Sequence, residues 1–282
     1  MPTRRELLQR GLVAGGALVA GSTFAAQPAA SGRAAELPPQ VVDAHCHAGR
    51  GMNYGKSEPL LDPWTTFNDP ERVLRQADEA GITQTVIFPI SNTTYDKANE
   101  EIAGYARKYP GKFIGFAKHD PKTEEGQIRP MLIREVRELG LRGLKLHVVP
   151  TEEMLTTCQE LQIPILVHPP RVAELVEVVR VWPKINFILA HLGNFASRDW
   201  REHIRAIEAT KALPNLYLET SAVVFFEFLE QAARELPADK LVFGSDGPLV
   251  DQRVELNKMS LLKLPPDKAE KILGGNILRL LG

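Results

Sequence analysis

The chain has 282 residues, 44% of them hydrophobic and 24% charged, with a formal net charge of −1. That composition is ordinary for a globular protein and leaves room for one large domain. The near-neutral charge argues against a nucleic-acid or anionic-membrane partner. Two cysteines, Cys46 and Cys158, cannot build a disulfide framework.

Residues 1–35 differ from the rest. Arg4-Arg5 and Leu7-Leu8 precede an uncharged Gly/Ala-rich run, Gly11 to Ala26, and then Gln27-Pro28-Ala29-Ala30. A basic start, a weakly apolar middle and small residues behind it read as a cleavable export signal. Paired arginines ahead of Leu-Leu fit the twin-arginine type, and the run is too short and Gly-rich for a membrane span. The expectation is cleavage between Thr23 and Ala35 and an extracytoplasmic or periplasmic mature chain with no stable membrane insertion. Residues 36–282 would then form one domain.

From residue 41 onward, short apolar runs alternate with amphipathic stretches. Runs at 41–47, 84–90, 113–119, 143–148, 164–168, 186–191, 216–221 and 241–246 are rich in Val, Ile, Leu and Phe, as expected of parallel strands covered on both faces. Helical patterns lie between them at 71–80, 97–109, 126–139, 152–161, 172–182, 200–213 and 225–235, and a last one at 266–281. Asp69-Pro70 marks a helix start, and Gly81, Gly111 and Gly140 mark stops. Eight strands alternating with helices predict a single-domain (β/α)8 TIM barrel. A doubly wound sheet is the alternative, but His45 and His47 stand where its Gly-rich phosphate turn belongs. Residues 48–68 carry Gly49, Gly51, Gly55, Pro59 and Pro63 and read as an irregular first loop, a candidate pocket wall.

In Val41-Val42-Asp43-Ala44-His45-Cys46-His47 the two histidines are two residues apart, so on a strand they share a face and Cys46 takes the other. Two neutral imidazoles on a rigid strand end can hold a divalent metal. Of the seven histidines, His45, His47, His119, His147, His168 and His191 fall at or near the C-terminal ends of predicted strands, the active-site face of a barrel; His203 falls in a helix. Asp246 ends the eighth apolar run, where a carboxylate is costly unless it binds metal or accepts hydrogen bonds. It also reads as a helix N-cap ahead of Gly247-Pro248.

His45-Cys46-His47, Gly143-Leu144-Lys145-Leu146-His147, Val167-His168-Pro169, Ala190-His191-Leu192-Gly193 and Gly244-Ser245-Asp246 occur in order at barrel-strand spacing over residues 41–248. In this the sequence resembles the amidohydrolase superfamily, most closely its amidohydrolase-related group of metal-dependent hydrolases and decarboxylases. The resemblance implies that His45, His47 and His168 bind a divalent ion, most readily zinc, with Asp246 completing the site. It implies Asp246 and His191 as the proton-handling residues. A second metal on His191 and a carboxylated Lys145 is the binuclear variant; the favoured reading is an unmodified Lys145, either paired with Asp246 or Glu219 or anchoring an anionic substrate. His147, Arg171 and Arg50 are further substrate-binding candidates. His119 is a pocket-lining candidate, and Glu219 a partner for a ligand or a ligating histidine.

The function expected first is an exported hydrolase that cleaves an amide, lactone or ester of a small molecule with metal-activated water. The alternative is a non-oxidative metal-dependent decarboxylase or hydratase of a small aromatic or unsaturated carboxylic acid. A barrel retained only for binding would predict damaged ligand positions, and none is damaged. The oligomeric state stays open, a homo-oligomer included.

Overall fold

In the computed structural model, which describes residues 37–52 and 65–282, alternating strand and helix patterns become a mixed α/β fold. Ten strands occur among the described residues: β1 (Val42–Met52), β2 (Thr65–Asn68), β3 (Gln84–Pro89), β4 (Phe113–Gly115), β5 (Ala117–Lys118), β6 (Leu144–Leu146), β7 (Ile165–Val167), β8 (Phe187–Leu189), β9 (Leu216–Glu219) and β10 (Leu241–Val242). The helices are α1 (Pro70–Ala80), α2 (Asp96–Lys108), α3 (Ile128–Arg137), α4 (Glu152–Leu161), α5 (Val172–Val181), α6 (Trp200–Ala212), α7 (Phe226–Glu235), α8 (Gln252–Leu261), α9 (Pro266–Glu270) and α10 (Asn276–Leu281). All belong to one compact unit, Ala35–Gly282. The expected export signal lies outside the described residues. No helix among those described is long and apolar enough to cross a membrane.

All strands except β2 pair in parallel. β4 and β5 are two parts of one strand that changes partner at Phe116: its N–H donates to Ile87 on β3 at 2.9 Å, while that of Ala117 donates to Gly143, just before β6, at 2.8 Å. The ring closes where the chain beyond β10 meets β1. Ala44 N–H donates to Phe243 at 3.0 Å, Asp246 N–H to His45 at 2.7 Å and His47 N–H to Gly247 at 2.6 Å. This is the expected (β/α)8 arrangement.

Two apolar layers follow from the period of two along each strand. Val42, Ala44, Val86, Phe88, Phe116, Leu166, Ile188, Tyr217 and Val242 fill the barrel interior. Cys46, Ile87, Ala117, Leu144, Leu146, Val167, Leu189 and Leu218 point outward and pack with helix residues such as Val73, Ile102, Leu132, Leu175 and Ala206. Cys46 thus faces away from the site, as its place between two histidines predicts, and both cysteines are buried free thiols. Phe116 lies so close to Gly143 that a Cβ there would meet its ring at 2.5 Å, so this approach needs glycine.

Local signals behave as expected at several ends. Asp69 accepts a hydrogen bond from Glu71 N–H at the start of α1, Pro70 takes the first helical position, and Gly81 closes the helix at φ 80°. The last helical pattern is continuous from α9 to α10 through a π-helical turn at Lys271–Gly275. One expectation is corrected. Residues 48–52 are the end of β1, and 65–68 form β2, which pairs with it antiparallel from Gly49↔Asn68 to Met52↔Thr65. The glycines that suggested a loop let the strand pass under its neighbour: a Cβ on Gly51 would stand 2.4 Å from the Ser91 carbonyl oxygen. Residues 53–64 lie outside the described ones.

His119, a pocket candidate by position, is an anchor of the barrel wall. Its Nδ1 lies 3.0 Å from Glu124 and its Nε2 2.8 Å from Glu135, all three buried. Burial opposes its charge, but the two carboxylates outweigh it and lift the pKa from 6.5 to about 9. A raised folded pKa adds stability that is complete below the unfolded value and is lost as pH rises through the folded one. Unfolding by denaturant should therefore show wild type most favoured over His119→Gln below pH 6.5, with the gap shrinking by about 3 kcal/mol as pH rises past 9. A gap that does not change with pH would mean that His119 is held neutral.

Candidate active site

Inward-pointing positions at the C-terminal strand ends carry polar and charged groups above the apolar plug. Tyr217 is followed two residues later by Glu219, Leu166 by His168 and Phe116 by Lys118, each on the inward period of its strand. On β1 strict alternation fails to deliver the histidines. Val42 and Ala44 point inward, so His45 and His47 would point out. One extra residue between Asp43 and Cys46, opposite Thr85 and Ile87 of β3, shifts the register and turns both imidazoles in. Two other site residues reach their places through left-handed backbone, His191 at φ 57° and Asp246 at φ 60°. Such conformations cost roughly 1–3 kcal/mol in non-glycine residues and gather where side chains must be aimed.

His45 and His47 each bring Nε2 to 3.2 Å from Asp246 Oδ1. The three side chains are buried, and their donor atoms lie within 4.8 Å of one another. Burial opposes the charge of Asp246, but the His45 and His47 imidazoles hold its carboxyl well below the usual range, so it is ionised. Burial draws His47 down to about 3 and His191 to about 4, and lowers His168 to about 2, so these rings are neutral at pH 7. His45 goes the other way: burial and Lys145 oppose its charge, yet Glu219 and Asp246 raise its pKa. The ring thus favours positive charge at its centre, and two imidazole nitrogens with a carboxylate oxygen are donors that suit a divalent metal.

Glu219 orients this set. Its carboxylate takes the His45 Nδ1 hydrogen at 2.9 Å, the His191 backbone N–H at 3.1 Å, the Ser221 hydroxyl at 2.9 Å and the Ser221 backbone N–H. Burial opposes its charge, but His45 draws its pKa down to about 2. With His45 Nδ1 tied there, Nε2 is the nitrogen turned toward Asp246 and would be the one to hold a metal. His45, His191 and Glu219 also lie within metal-binding distance of one another, but Glu219, with its donors already in place, orients rather than ligates. Gly244 leaves room for the contact: a Cβ there would stand 2.4 Å from Glu219 Oε1 and 2.9 Å from His45 Cβ.

His191 Nδ1 lies 2.9 Å from Ser221 Oγ, which places its hydrogen on that nitrogen and leaves Nε2 to move protons. His168 meets the His191 ring edge-on at 4.7 Å and stands outside the group of His45, His47 and Asp246. His147 stacks at 6.1 Å from His47 and is exposed. Lys145 is fully buried, with Nζ 3.1 Å from His45 Nε2 and 5.1 Å from the Phe88 ring centre. Burial lowers its pKa to about 8 against the pull of Asp246 and Glu219. Neither candidate arginine is brought to this cluster. Arg50 is 80% exposed, near Glu101 at 3.9 Å, and Arg171 is 77% exposed, near Glu174 at 3.8 Å.

Asp43 and Lys118 escaped the reading of the sequence. Asp43 accepts from His45 N–H at 3.1 Å, Ser245 N–H at 2.9 Å, Ser245 Oγ at 2.6 Å and Gln252 Nε2 at 2.8 Å, tying β1 to the segment that carries Asp246. An acid inside Val41-Val42-Asp43-Ala44 was its signal. Lys118 is buried, and burial together with the Lys145 charge draws it down to about 7. Its signal was a lysine on the inward period of an apolar strand.

Comparison with known proteins gives the family and the fold. The chain belongs to the amidohydrolase family, whose model matches residues 42–282. No curated protein matches its sequence. Among solved structures it is similar to 2,6-dihydroxybenzoate decarboxylase from Rhizobium, with TM-score 0.69 and 17% identity, covering 86% of this chain and 98% of that one. It is also similar to 5-carboxyvanillate decarboxylase from Sphingomonas paucimobilis, with TM-score 0.68 and 13% identity over 86% and 99%. A dihydroxybenzoic acid decarboxylase from Polaromonas, with bound manganese and the inhibitor 2-nitroresorcinol, has TM-score 0.65 and 19% identity over 86% and 96%.

Proposed function

We propose that this protein is a metal-dependent carboxy-lyase that removes carbon dioxide non-oxidatively from a small aromatic carboxylic acid. The observation that carries the reading is the convergence of His45, His47 and Asp246 beside the buried cation of Lys145. It is supported by barrel-wide likeness to three decarboxylases. The hydrolase reading uses the same ligands and gains no support from those relatives. Zinc, expected from the sequence, gives way to a divalent ion of either kind, since manganese is bound in the Polaromonas relative and imidazole with carboxylate suits both.

His45, His47 and Asp246 would hold the ion, with His168 beside them; when bound it supplies positive charge to substrate oxygens. Lys145 holds an anionic oxygen of the acid. The bond between ring carbon and carboxylate breaks, its electron pair stays on the ring carbon, and carbon dioxide leaves. Asp246 or His191 Nε2, unprotonated at rest, would take a proton from solvent water and hand it to that carbon. The buried ring keeps water away from the carbanionic carbon until the proton arrives.

The test is a panel of hydroxybenzoates labelled with ¹³C in the carboxyl group, incubated with metal-loaded enzyme in H₂¹⁸O. Release of ¹³CO₂ with stoichiometric appearance of the decarboxylated arene is expected. Turnover of esters, lactones or amides with ¹⁸O in the product, and no carbon dioxide from any acid, would overturn the reading.

A further inference from the structure

His203 lies on α6, fully buried, with its ring 5.0 Å from that of Phe228 on α7. It stands outside the group of His45, His47 and Asp246. Its Nδ1 is 3.0 Å from the Leu192 carbonyl, which only accepts, so the ring hydrogen sits on that nitrogen. Burial lowers the pKa of the ring, which is therefore neutral at pH 7 and accepts at Nε2. There the Ser197 hydroxyl donates at 2.9 Å. Ser197 Oγ in turn accepts the Val224 and Phe225 backbone N–H groups at 3.0 and 3.2 Å. One hydrogen given and two received leave that hydroxyl fully used.

Both ends of His203 act on backbone that needs outside support. After β8 the chain runs through His191, Leu192, Ala196 and Ser197 with φ between 50° and 57°. Non-glycine residues keep such a conformation only where their surroundings fix it. The Nδ1 bond pins the carbonyl of Leu192, the residue directly after His191. The Ser197 bonds pin residues 224–225, in the connection between β9 and α7 that also carries Ser221. Ala196 N–H adds a bond to the Ala222 carbonyl at 3.1 Å in the same connection. Ser221 is the residue whose Oγ meets His191 Nδ1 at 2.9 Å. One buried imidazole thus joins the segment that carries His191 to the segment that carries its partner. Gly193 lets α6 come this close: a Cβ there would stand 3.0 Å from the Glu202 carbonyl oxygen.

We propose that His203 is a positioning residue for proton transfer: bonded to Leu192 and Ser197, it keeps His191 on Ser221 and so holds His191 Nε2 at the site. This rests on the decarboxylase reading, in which His191 serves the proton step. Without His203 the left-handed run relaxes and His191 turns away from Ser221. The metal ligands His45, His47 and Asp246 lie on other strands and stay in place.

The test uses the zinc-loaded full chain with ¹⁵N-labelled histidine, as wild type, His203→Leu and His203→Asn. Leucine fills the space and makes neither bond, whereas the asparagine amide can still donate to the Leu192 carbonyl. In wild type the His191 Nδ1 hydrogen is expected as a slowly exchanging NMR signal, identified by its loss in His191→Gln. In His203→Leu its exchange is expected to be at least about tenfold faster, with metal content unchanged. On an acid that is turned over, kcat is expected to fall about 10–100-fold with KM within about twofold. His203→Asn should bring both readouts back to within about threefold of wild type. If His203→Leu does not fold, His203→Gln takes its place, since its amide reaches the Ser197 end and not the Leu192 carbonyl. An unchanged His191 signal in the leucine or glutamine variant, an equal loss in His203→Asn, or a lost signal with kcat unmoved would overturn the proposal. Because the signal is read without turnover, its loss in a protein that releases no carbon dioxide would keep the positioning role and sink the reaction.

Discussion

In Asp246→Asn, decarboxylation is expected to fall by about 10³-fold or more while the fold survives. Asp246 meets both His45 and His47, at 3.2 Å each. It is also ionised despite burial, because those imidazoles hold its pKa down. The amide keeps the shape and accepts the φ of 60°, since asparagine tolerates left-handed backbone better than most residues. It removes the negative charge that faces the metal position and the group that carries the proton. Loss of proton transfer alone is worth about 10²–10⁴-fold, and weaker metal binding adds to it. Turnover at saturating metal measures the first effect, and chelator competition the second. Activity within tenfold of wild type under saturating metal would remove Asp246 from proton transfer.

Glu219→Gln is expected to weaken metal binding about 10–100-fold without touching a ligand directly. The native carboxylate faces donors only: His45 Nδ1, the His191 and Ser221 backbone amides and the Ser221 hydroxyl. A glutamine turns an N–H toward one of them and leaves a buried donor unmet, which costs about 1–3 kcal/mol of stability. His45 also loses the acceptor that keeps its hydrogen on Nδ1, so Nε2 is no longer held bare. Metal affinity by competition and a urea midpoint should fall together. Unchanged metal affinity with lowered stability would make Glu219 a core residue only.

The candidate site residues were legible because a closed parallel sheet writes itself as apolar runs, and its active-site face is the end of each run. That is why His45, His47, His168, His191 and Asp246 could be singled out from their positions. The way they are aimed was hidden. Alternation from Val42 and Ala44 sends His45 outward, and only the extra residue before Cys46 corrects it. His191 and Asp246 depend on left-handed backbone that no side-chain pattern announces. Arg50 and Arg171 lay close in sequence to ligands, yet Arg50 sits in the part of β1 that pairs with β2 and Arg171 at the start of α5, both exposed. Lys118 was overlooked because its partner is Lys145, distant in sequence and joined to it by register alone. The reaction itself was hidden for a chemical reason: hydrolysis and decarboxylation call for the same two imidazoles and carboxylate.

The measurement that bears most directly on this account is elemental analysis of metal per chain, on protein purified without added metal or chelator, for wild type, His45→Ala and Lys145→Ala. The account predicts about one divalent ion per chain in wild type, lost in His45→Ala and retained in Lys145→Ala. Absence of metal from wild type even after supplementation would contradict it, as would two ions of which one is lost in Lys145→Ala.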